Sequence, residues 1–483
     1  MTRERLVVVG NGMAGARVVQ ELLARGGSAR YEITVLGEEP HGSYNRILLS
    51  DVLRGVREAR EIFLHPRSWY AENGVTLRAP CRAVEIDRER RLVRDADGGE
   101  TPYDRLILAI GSRPLVPEVP GTETPGVFVF RTLDDCRRLA EQVESSRTAV
   151  VVGGGLLGLE AAYGLLGLGL EVHLVHRHPH LMERQLDPEA SAVLAAAIRG
   201  LGIRLHLGRE TEAVLGEERV TSLQLEEGDV LPADLVVFAC GIRPNVEAAA
   251  AAGLAVGRGI LVDDQLRSVT DPRIFAVGEC AEHGGIVHGL VAPAWEQARV
   301  LAEALVGNER AAYAGSRVST RLKVAGLDVT AMGAVLPDLE RDEVVQFLEP
   351  RRGIYKKLVI RDGRLAGAIL LGDAARAPHL IQAFERAAPL PDERAALLFD
   401  LGGGAGALSL AEMEDDATVC HCNGVSKGDL LECLAGGACG LHAVMQATRA
   451  GTGCGSCKTL VKALVDRGLR ETRELPVTLG AAS

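Results

Sequence analysis

Two stretches of this chain repeat one plan. The first runs Leu6-Val7-Val8-Val9-Gly10-Asn11-Gly12-Met13-Ala14-Gly15, and the second Ala149-Val150-Val151-Val152-Gly153-Gly154-Gly155-Leu156-Leu157-Gly158. Each reads as a buried strand, a glycine-rich turn and the start of an apolar helix. Each is followed by a further strand, Tyr31 to Leu36 and Glu171 to Val175. In a G-x-G-x-x-G turn the first glycine permits the tight bend, the second lets backbone approach a pyrophosphate, and the third lets helix pack on strand. The helix N-terminus adds free N–H groups and the positive end of its dipole. One such fingerprint is weak evidence. Two of them, 143 residues apart and both between strand and helix, predict a duplicated dinucleotide-binding βαβ unit.

Each unit has a later strand ending at glycine. Tyr103 to Gly111 follows the first and Ala233 to Gly241 the second, and Asp271 to Gly278-Glu279-Cys280 is a third such run. From about Arg317 the texture changes. Val318, Thr320, Leu322 and Val324 alternate with polar or small residues, and Tyr355 to Ile360, a turn at Arg361-Asp362-Gly363-Arg364, and Leu365 to Leu371 predict a β-hairpin. Ala387 to Asp416 mixes Pro, Ala, a Gly402–Gly406 run and acidic residues, which reads as a flexible joint with room for a short helix at Ala395 to Leu401.

The expected fold is therefore α/β. Two Rossmann-like dinucleotide-binding domains are followed by a small α+β domain and a small Cys-rich domain.

Composition narrows the function. The 483 residues are 47% apolar and 25% charged, an ordinary globular balance. A net charge of −11 gives no basic excess for nucleic acid. Only six lysines occur, all at Lys323 or later, so no earlier lysine does chemistry. The most apolar stretch, Ala149 to Val172, holds Glu160 and seven glycines and is explained by the second fingerprint rather than by a membrane span. No signal peptide precedes the first strand, and the expected location is the cytoplasm.

An acid at the end of the second strand of a dinucleotide unit holds ribose hydroxyls. Glu38 fits in the first unit, with Glu39 as the fallback. The matching stretch of the second unit is Val175-His176-Arg177-His178, with no carboxylate. Arg177 hints at the 2′-phosphate of NADP, although a solvated basic turn explains it as well. Two nucleotide sites imply two nucleotides, and the economical pair is FAD with NAD(P)H, since a flavin accepts hydride and releases single electrons.

Of ten cysteines, six fall in a 38-residue window. Cys420-x-Cys422, 31 residues, then Cys454-x-x-Cys457 gives two close pairs that can converge on a metal or cluster in a reducing compartment. Iron–sulfur centres and structural zinc both take four thiolates, so the spacing alone leaves both open. Cys433 and Cys439 are extras, and His421 between two cysteines reads as a bystander. Cys136, Cys240 and Cys280 read as small buried residues.

With these motifs placed, the first 310 or so residues resemble the two-dinucleotide-binding flavoproteins, the pyridine-nucleotide-dependent reductases. The resemblance implies that the second nucleotide domain, 121–250, is inserted in the first, 1–120 and 251–312, followed by the α+β domain at 313–385, the linker at 386–416 and the last domain at 417–470. It assigns Gly10, Gly12, Met13, Ala14, Gly15, Glu38 and Gly111 to FAD, with Gly278 and Glu279 returning to the flavin at its ribitol chain. It assigns Gly153, Gly155, Gly158, Arg177 and Gly241 to NAD(P)H. Glu279 in place of the usual Asp, Tyr44-Asn45-Arg46 and Gly289 to Ala298 resemble the branch closest to nitrite reductase large subunits. There Arg46 would lie at the flavin phosphates or ring, and Glu160 where nicotinamide meets flavin. Members that reduce disulfides carry a redox Cys pair in the first domain. Here the first 130 residues hold Cys81 alone, and Ser50 stands near where single-cysteine members place theirs, so neither chemistry is expected.

Cys420-His421-Cys422-Asn423-Gly424-Val425 and Thr448 to Cys457 resemble the bacterioferritin-associated ferredoxin-like domain, which implies a small helical iron–sulfur domain with a [2Fe–2S] cluster on Cys420, Cys422, Cys454 and Cys457. The combination implies a relay: NAD(P)H to FAD, FAD to cluster, cluster to a partner. The same domain order occurs in assimilatory nitrite reductase large subunits and nitrate reductase electron-transfer subunits. No cysteines for sirohaem follow, so the expectation is an electron-transfer subunit feeding a catalytic nitrate or nitrite reductase. The alternatives are a general NAD(P)H:ferredoxin or rubredoxin-type reductase, and a non-redox interaction protein with a zinc-bound C-terminal module. Oligomeric state is not legible.

Overall fold

The computed structural model describes residues 3–324, 327–399, 413–421, 423–438, 440–453, 455 and 457–474. They form two units, one of Met1–Gly153, Gly164–Val175 and Glu210–Ser316, the other of Gly154–Tyr163, His176–Arg209 and Arg317–Ser483.

The first unit is organised by two parallel sheets. In one, Ile274–Ala276, Arg105–Leu108, Glu4–Val9, Tyr31–Leu36 and Thr76–Arg78 lie side by side in that order. Its central strand is the Val-rich run of the first fingerprint. Leu6, Val7 and Val8 are essentially fully buried, as both faces of a parallel sheet demand. The helix Met13–Ala24 packs against Val291–Leu305, and Tyr31 donates its hydroxyl to the Leu305 carbonyl at 2.9 Å. In the other sheet Val127–Val129, Leu235–Phe238, Thr148–Val152 and Glu171–His176 run parallel in that order. The strands of this second sheet lie, along the chain, between Arg105–Leu108 and Ile274–Ala276 of the first. One Rossmann-type sheet is thus interrupted by the other, as the resemblance implied.

The stretch Ala149 to Val172 resolves into a strand, the helix Leu156–Gly167 and the next strand. No helix among the described residues is long and apolar enough to cross a membrane.

In the second unit five antiparallel strands follow the order Ser319–Val324, Leu327–Gly333, Arg364–Leu371, Ile354–Arg361 and Glu343–Glu349. The expected hairpin is there, and its turn places Asp362 and Gly363 at φ 51° and 68°, the positive pair that a two-residue turn requires. The helix Ala377–Glu385 covers the sheet through Leu380, Ile381 and Phe384.

Two lysines of this hairpin are buried, each with a carboxylate. Lys356 reaches Asp373 at 2.6 Å and the Leu398 carbonyl at 2.8 Å. Lys357 reaches Asp187 at 2.8 Å, and Tyr355 donates to the same carboxylate at 2.5 Å. Asp187 also caps the helix Pro188–Gly200 by accepting from the Ala190 N–H at 2.9 Å.

The short helix expected from Ala395 is Ala395–Leu398, and the glycine run at 402–406 lies outside the described residues. The C-terminal segment folds as Thr418–Cys420 paired with Val425–Ser426, then helices Lys427–Ala435, Leu441–Thr448 and Lys458–Glu474.

Candidate functional site

The two glycine turns are alike in detail. Gly10 has φ 110°, and a Cβ there would lie 2.2 Å from the Ala109 carbonyl oxygen. Gly153 has φ 127°, and its Cβ would lie 2.3 Å from the Ala239 carbonyl oxygen. In both, the bend after the first strand is pressed against the end of the third. The second glycine of each, Gly12 and Gly155, faces open space, with no protein atom within 4 Å of an added Cβ. That is the room a pyrophosphate needs at a helix N-terminus. Gly15 packs so that a Cβ would meet the Gly10 carbonyl oxygen at 2.0 Å. Met13 and Ala14 open the helix, and Gly158 is buried in the helix of the second turn.

The first turn gathers residues from far along the chain. A Cβ on Gly278 would sit 2.8 Å from that of Ala14, and the Gly278 N–H donates to Gln297 at 2.7 Å. Glu279 is thereby held near the turn. Its carboxylate accepts from Ser112 at 2.6 Å and pairs closely with Arg131. Gly111, with φ 61°, lies beside the same guanidinium, and a Cβ on it would stand 3.9 Å from an Arg131 nitrogen. Gly241 holds the corresponding place after the other third strand, and the segments Ser112–Pro114 and Ile242–Pro244 pair antiparallel.

The two strand-end acids differ. Glu38 is 72% exposed, and among the described residues its carboxylate contacts Arg82 at 3.5 Å. Glu39 is engaged: it accepts from Arg46 at 2.6 Å and from the Tyr44 hydroxyl at 2.6 Å. Arg46 also donates to the Arg131 carbonyl at 3.2 Å. Burial pushes the Tyr44 phenol well above its ordinary value, so it stays a donor. Of the two acids, Glu38 is thus the one whose carboxylate stays open to solvent. Sequence reasoning missed Ser112, Arg131 and Asn11. Asn11 accepts from Tyr70 at 2.5 Å and donates to the His41 carbonyl at 3.3 Å. Asn11 sits inside the fingerprint and was within reach of a sequence reading; Ser112 and Arg131 belong to no motif.

At the second turn, His176 ends its strand and is buried. Its Nδ1 accepts the Gly154 N–H at 3.1 Å, and its Nε2 lies 3.1 Å from Glu183. The strand end that lacked a carboxylate in sequence thus acquires one from seven residues on. Arg177 is exposed, and Glu160 is half-buried in the first turns of Leu156–Gly167.

The cysteines divide by environment. Cys136 and Cys280 are buried, and desolvation pushes their thiols up to about 12 and about 11. Cys81 is also buried and raised. None is the low-pKa thiolate of a redox site. Cys240, expected to be buried, is half-buried, its thiol on the Val152 carbonyl at 3.3 Å, because it stands where the strand has given way to the Gly241 turn.

Cys420, the last residue of the strand Thr418–Cys420, and Cys457, in the turn before the helix Lys458–Glu474, are both buried. Asn423, in the turn after Cys420, donates to the Arg449 carbonyl at 2.7 Å, on the segment that leads to Cys457. Two buried soft donors on cross-linked segments fit a thiolate-bound cluster. Cys422, Cys454 and Cys439 lie outside the described residues. Cys433 lies in the helix Lys427–Ala435. Burial pushes His421 down to about 4, so it is neutral, with Nδ1 3.8 Å from Glu385.

Comparison with known proteins agrees with this geometry. Residues 4–300 match the pyridine nucleotide-disulphide oxidoreductase family, 319–388 the rubredoxin NAD+ reductase C-terminal domain, and 418–467 the BFD-like [2Fe-2S] binding domain. The chain is 41% identical to a nitrite reductase [NAD(P)H] of Bacillus subtilis, over 97% of this chain and 58% of that protein. It is 37% identical to the assimilatory nitrate reductase electron transfer subunit of the same organism, over 96% of this chain and 60% of that one. It therefore spans about three fifths of the length of these relatives. A solved ferredoxin reductase from Rhodopseudomonas palustris is similar over 78% of this chain and 93% of its own, with 32% identity and a TM-score of 0.71. The chain belongs to the pyridine nucleotide-disulphide oxidoreductase family, as an NAD(P)H- and FAD-dependent oxidoreductase that carries a C-terminal [2Fe-2S]-binding domain.

Proposed function

We propose that the chain takes electrons from NAD(P)H and delivers them singly to a catalytic nitrate or nitrite reductase partner. The observation that carries this is the order of three matched domains on one chain: nucleotide-binding, rubredoxin-reductase-like and [2Fe-2S]-binding. Similarity to the nitrite reductase and to the nitrate reductase electron transfer subunit, along nearly the whole chain, favours a nitrogen-assimilation partner.

FAD and the cluster, when bound, supply the conversion from hydride to single electrons. The chain's own residues position and insulate. Gly12 and Gly155 leave room for phosphates, and the helices behind them present N–H groups. Glu38 would accept from the FAD ribose, and Glu279, fixed by Ser112 and Arg131, would orient the ribitol end. Arg46, aligned by Glu39, would face the flavin phosphates or ring. Glu160 would close the nicotinamide side. Hydride transfer needs no side-chain acid or base, only ring alignment and exclusion of water. Cys420, Cys422, Cys454 and Cys457 would hold the cluster.

The test is anaerobic purification, iron and sulfide analysis, and titration with NADH and NADPH followed in the visible spectrum. Bleaching of flavin and iron–sulfur bands together supports the reading. Flavin bleaching with zinc and no iron removes the relay. A second reading, a general NAD(P)H:rubredoxin- or ferredoxin-type reductase, is favoured by the match at 319–388 and by 31% identity to the rubredoxin-NAD(+) reductase of Pseudomonas putida along all of that protein. Acceptor assays with purified nitrate reductase catalytic subunit against rubredoxin separate the two.

A further inference from the structure

The Gly278 N–H, in the turn that carries Glu279, donates to Gln297 Oε1 at 2.7 Å. Gln297 is buried on the helix Val291–Leu305. A glutamine amide has an accepting end and a donating end of nearly the same shape, so its own packing does not say which end faces the turn. The Gln297 side chain also bonds the hydroxyl of Tyr313, a buried residue in the segment after that helix. The same hydroxyl lies 2.5 Å from Ser316 Oγ, and Ser316 donates to the Glu296 carboxylate at 2.6 Å.

The two ends of this chain fix its direction. A backbone N–H only donates and a carboxylate only accepts. Ser316 gives its proton to Glu296, so its oxygen takes the Tyr313 proton. The Tyr313 oxygen is then left to accept from the Gln297 amide, and Oε1 is the end that faces Gly278. Turning the amide over would set its NH2 against the Gly278 N–H. Burial raises the Glu296 carboxyl above its ordinary value and Arg299, on the same helix, opposes the rise. A protonated carboxyl would still keep an oxygen to accept from Ser316. The rest of Tyr313 is clamped. Its N–H donates to the Asp264 carbonyl at 2.7 Å, and its ring meets His283 edge-on at 5.0 Å, with His283 paired to the Asp264 carboxylate at 2.8 Å.

We propose that Tyr313 is a positioning residue for the flavin. With Ser316 and Glu296 behind it, it holds the Gln297 amide in the one orientation that keeps the Gly278 turn, and so Glu279, in place against FAD, a role that rests on the flavin reading of Gly278 and Glu279.

The test uses the full-length protein reconstituted with FAD. Fluorescence of released flavin reads FAD dissociation, and visible circular dichroism reads the surroundings of the bound flavin. Tyr313→Phe keeps the ring and removes the hydroxyl; it should weaken FAD binding about tenfold and change the dichroism. Ser316→Ala should act in the same direction. Glu296→Gln, which leaves an acceptor for Ser316, should stay near wild type, whereas Glu296→Leu should lose FAD as Tyr313→Phe does. Tyr31→Phe is the control. It removes another buried phenol bond to the same helix, at the Leu305 carbonyl, and should lower the melting temperature without changing FAD affinity or dichroism. Wild-type FAD affinity in Tyr313→Phe, or a loss no larger than in Tyr31→Phe, would overturn the proposal. Glu279→Gln separates that failure from failure of the underlying reading. Unchanged FAD binding in Glu279→Gln would remove the flavin reading of the turn and the positioning role with it. Weakened binding there, with none in Tyr313→Phe, would remove the positioning role alone.

Discussion

Gly10 lies so close to Ala109 that a single methyl group on the glycine would stand 2.2 Å from the alanine's carbonyl oxygen. Gly12, two residues on, has nothing within 4 Å. The two glycines of one turn therefore answer to different demands: packing requires the first and places no constraint on the second. Gly10→Ala meets both the carbonyl and a φ of 110°, and should destabilise the first unit by roughly 2–4 kcal/mol. Gly12→Ala should leave the melting temperature of flavin-free protein unchanged while lowering bound FAD. Differential scanning calorimetry with flavin extraction checks both, and equal destabilisation by the two variants would refute the distinction.

Among the described residues, the Asn423 side chain joins the segment after Cys420 to the one before Cys457, through the Arg449 carbonyl and the Thr452 hydroxyl. Asn423→Ala removes the 2.7 Å bond to the Arg449 carbonyl without touching a thiol. The expected result is protein that takes up iron and sulfide but loses them to a chelator faster than wild type. Cys420→Ser and Cys457→Ser should lack the cluster from the start. Full iron retention in either Cys variant would remove that residue from the ligand set.

Asp187 serves three partners in a buried place: Lys357, Tyr355 and the Ala190 N–H. Asp187→Ala strands a buried ammonium and should cost about 3–5 kcal/mol in the second unit. Tyr355→Phe removes one neutral donor and should cost about 1 kcal/mol. Urea unfolding monitored by circular dichroism reads both, and a near-neutral Asp187→Ala would show that the network is not holding the helix to the sheet.

Acid stability carries a defined contribution from Asp104. Its carboxylate takes hydrogen bonds from the Arg5 guanidinium and backbone, which hold it down at about 2. A carboxylate lowered in the folded state contributes stability that is full above its unfolded value near 4 and is lost as pH falls through about 2. The pair is partly exposed, so the contribution is roughly 1 kcal/mol after solvent screening. Asp104→Asn should therefore be less stable than wild type at pH 7, with the gap closing between about pH 4 and 2. A gap independent of pH would contradict the assignment.

The two glycine turns, their flanking strands and the later hairpin were legible because each is local. Strand alternation, turn chemistry and Cys spacing are properties of a few consecutive residues, and the resemblance named from them supplied the insertion of one nucleotide domain in the other. The acids were only half legible. Glu38 and Glu39 are neighbours with the same chemistry, and only the approach of Tyr44 and Arg46 occupies the second and leaves the first open.

Sequence by itself marked two dinucleotide-type glycine turns and two close cysteine pairs, because such fingerprints encode backbone geometry and donor type within a few residues. Tertiary structure alone decided which charges meet. Glu279 reaches Arg131 across 148 residues, and Glu183 returns to His176 at the end of a strand that had no acid of its own. Such pairings depend on loops folding back, and electrostatic partners at a few ångströms leave no periodic mark on the chain.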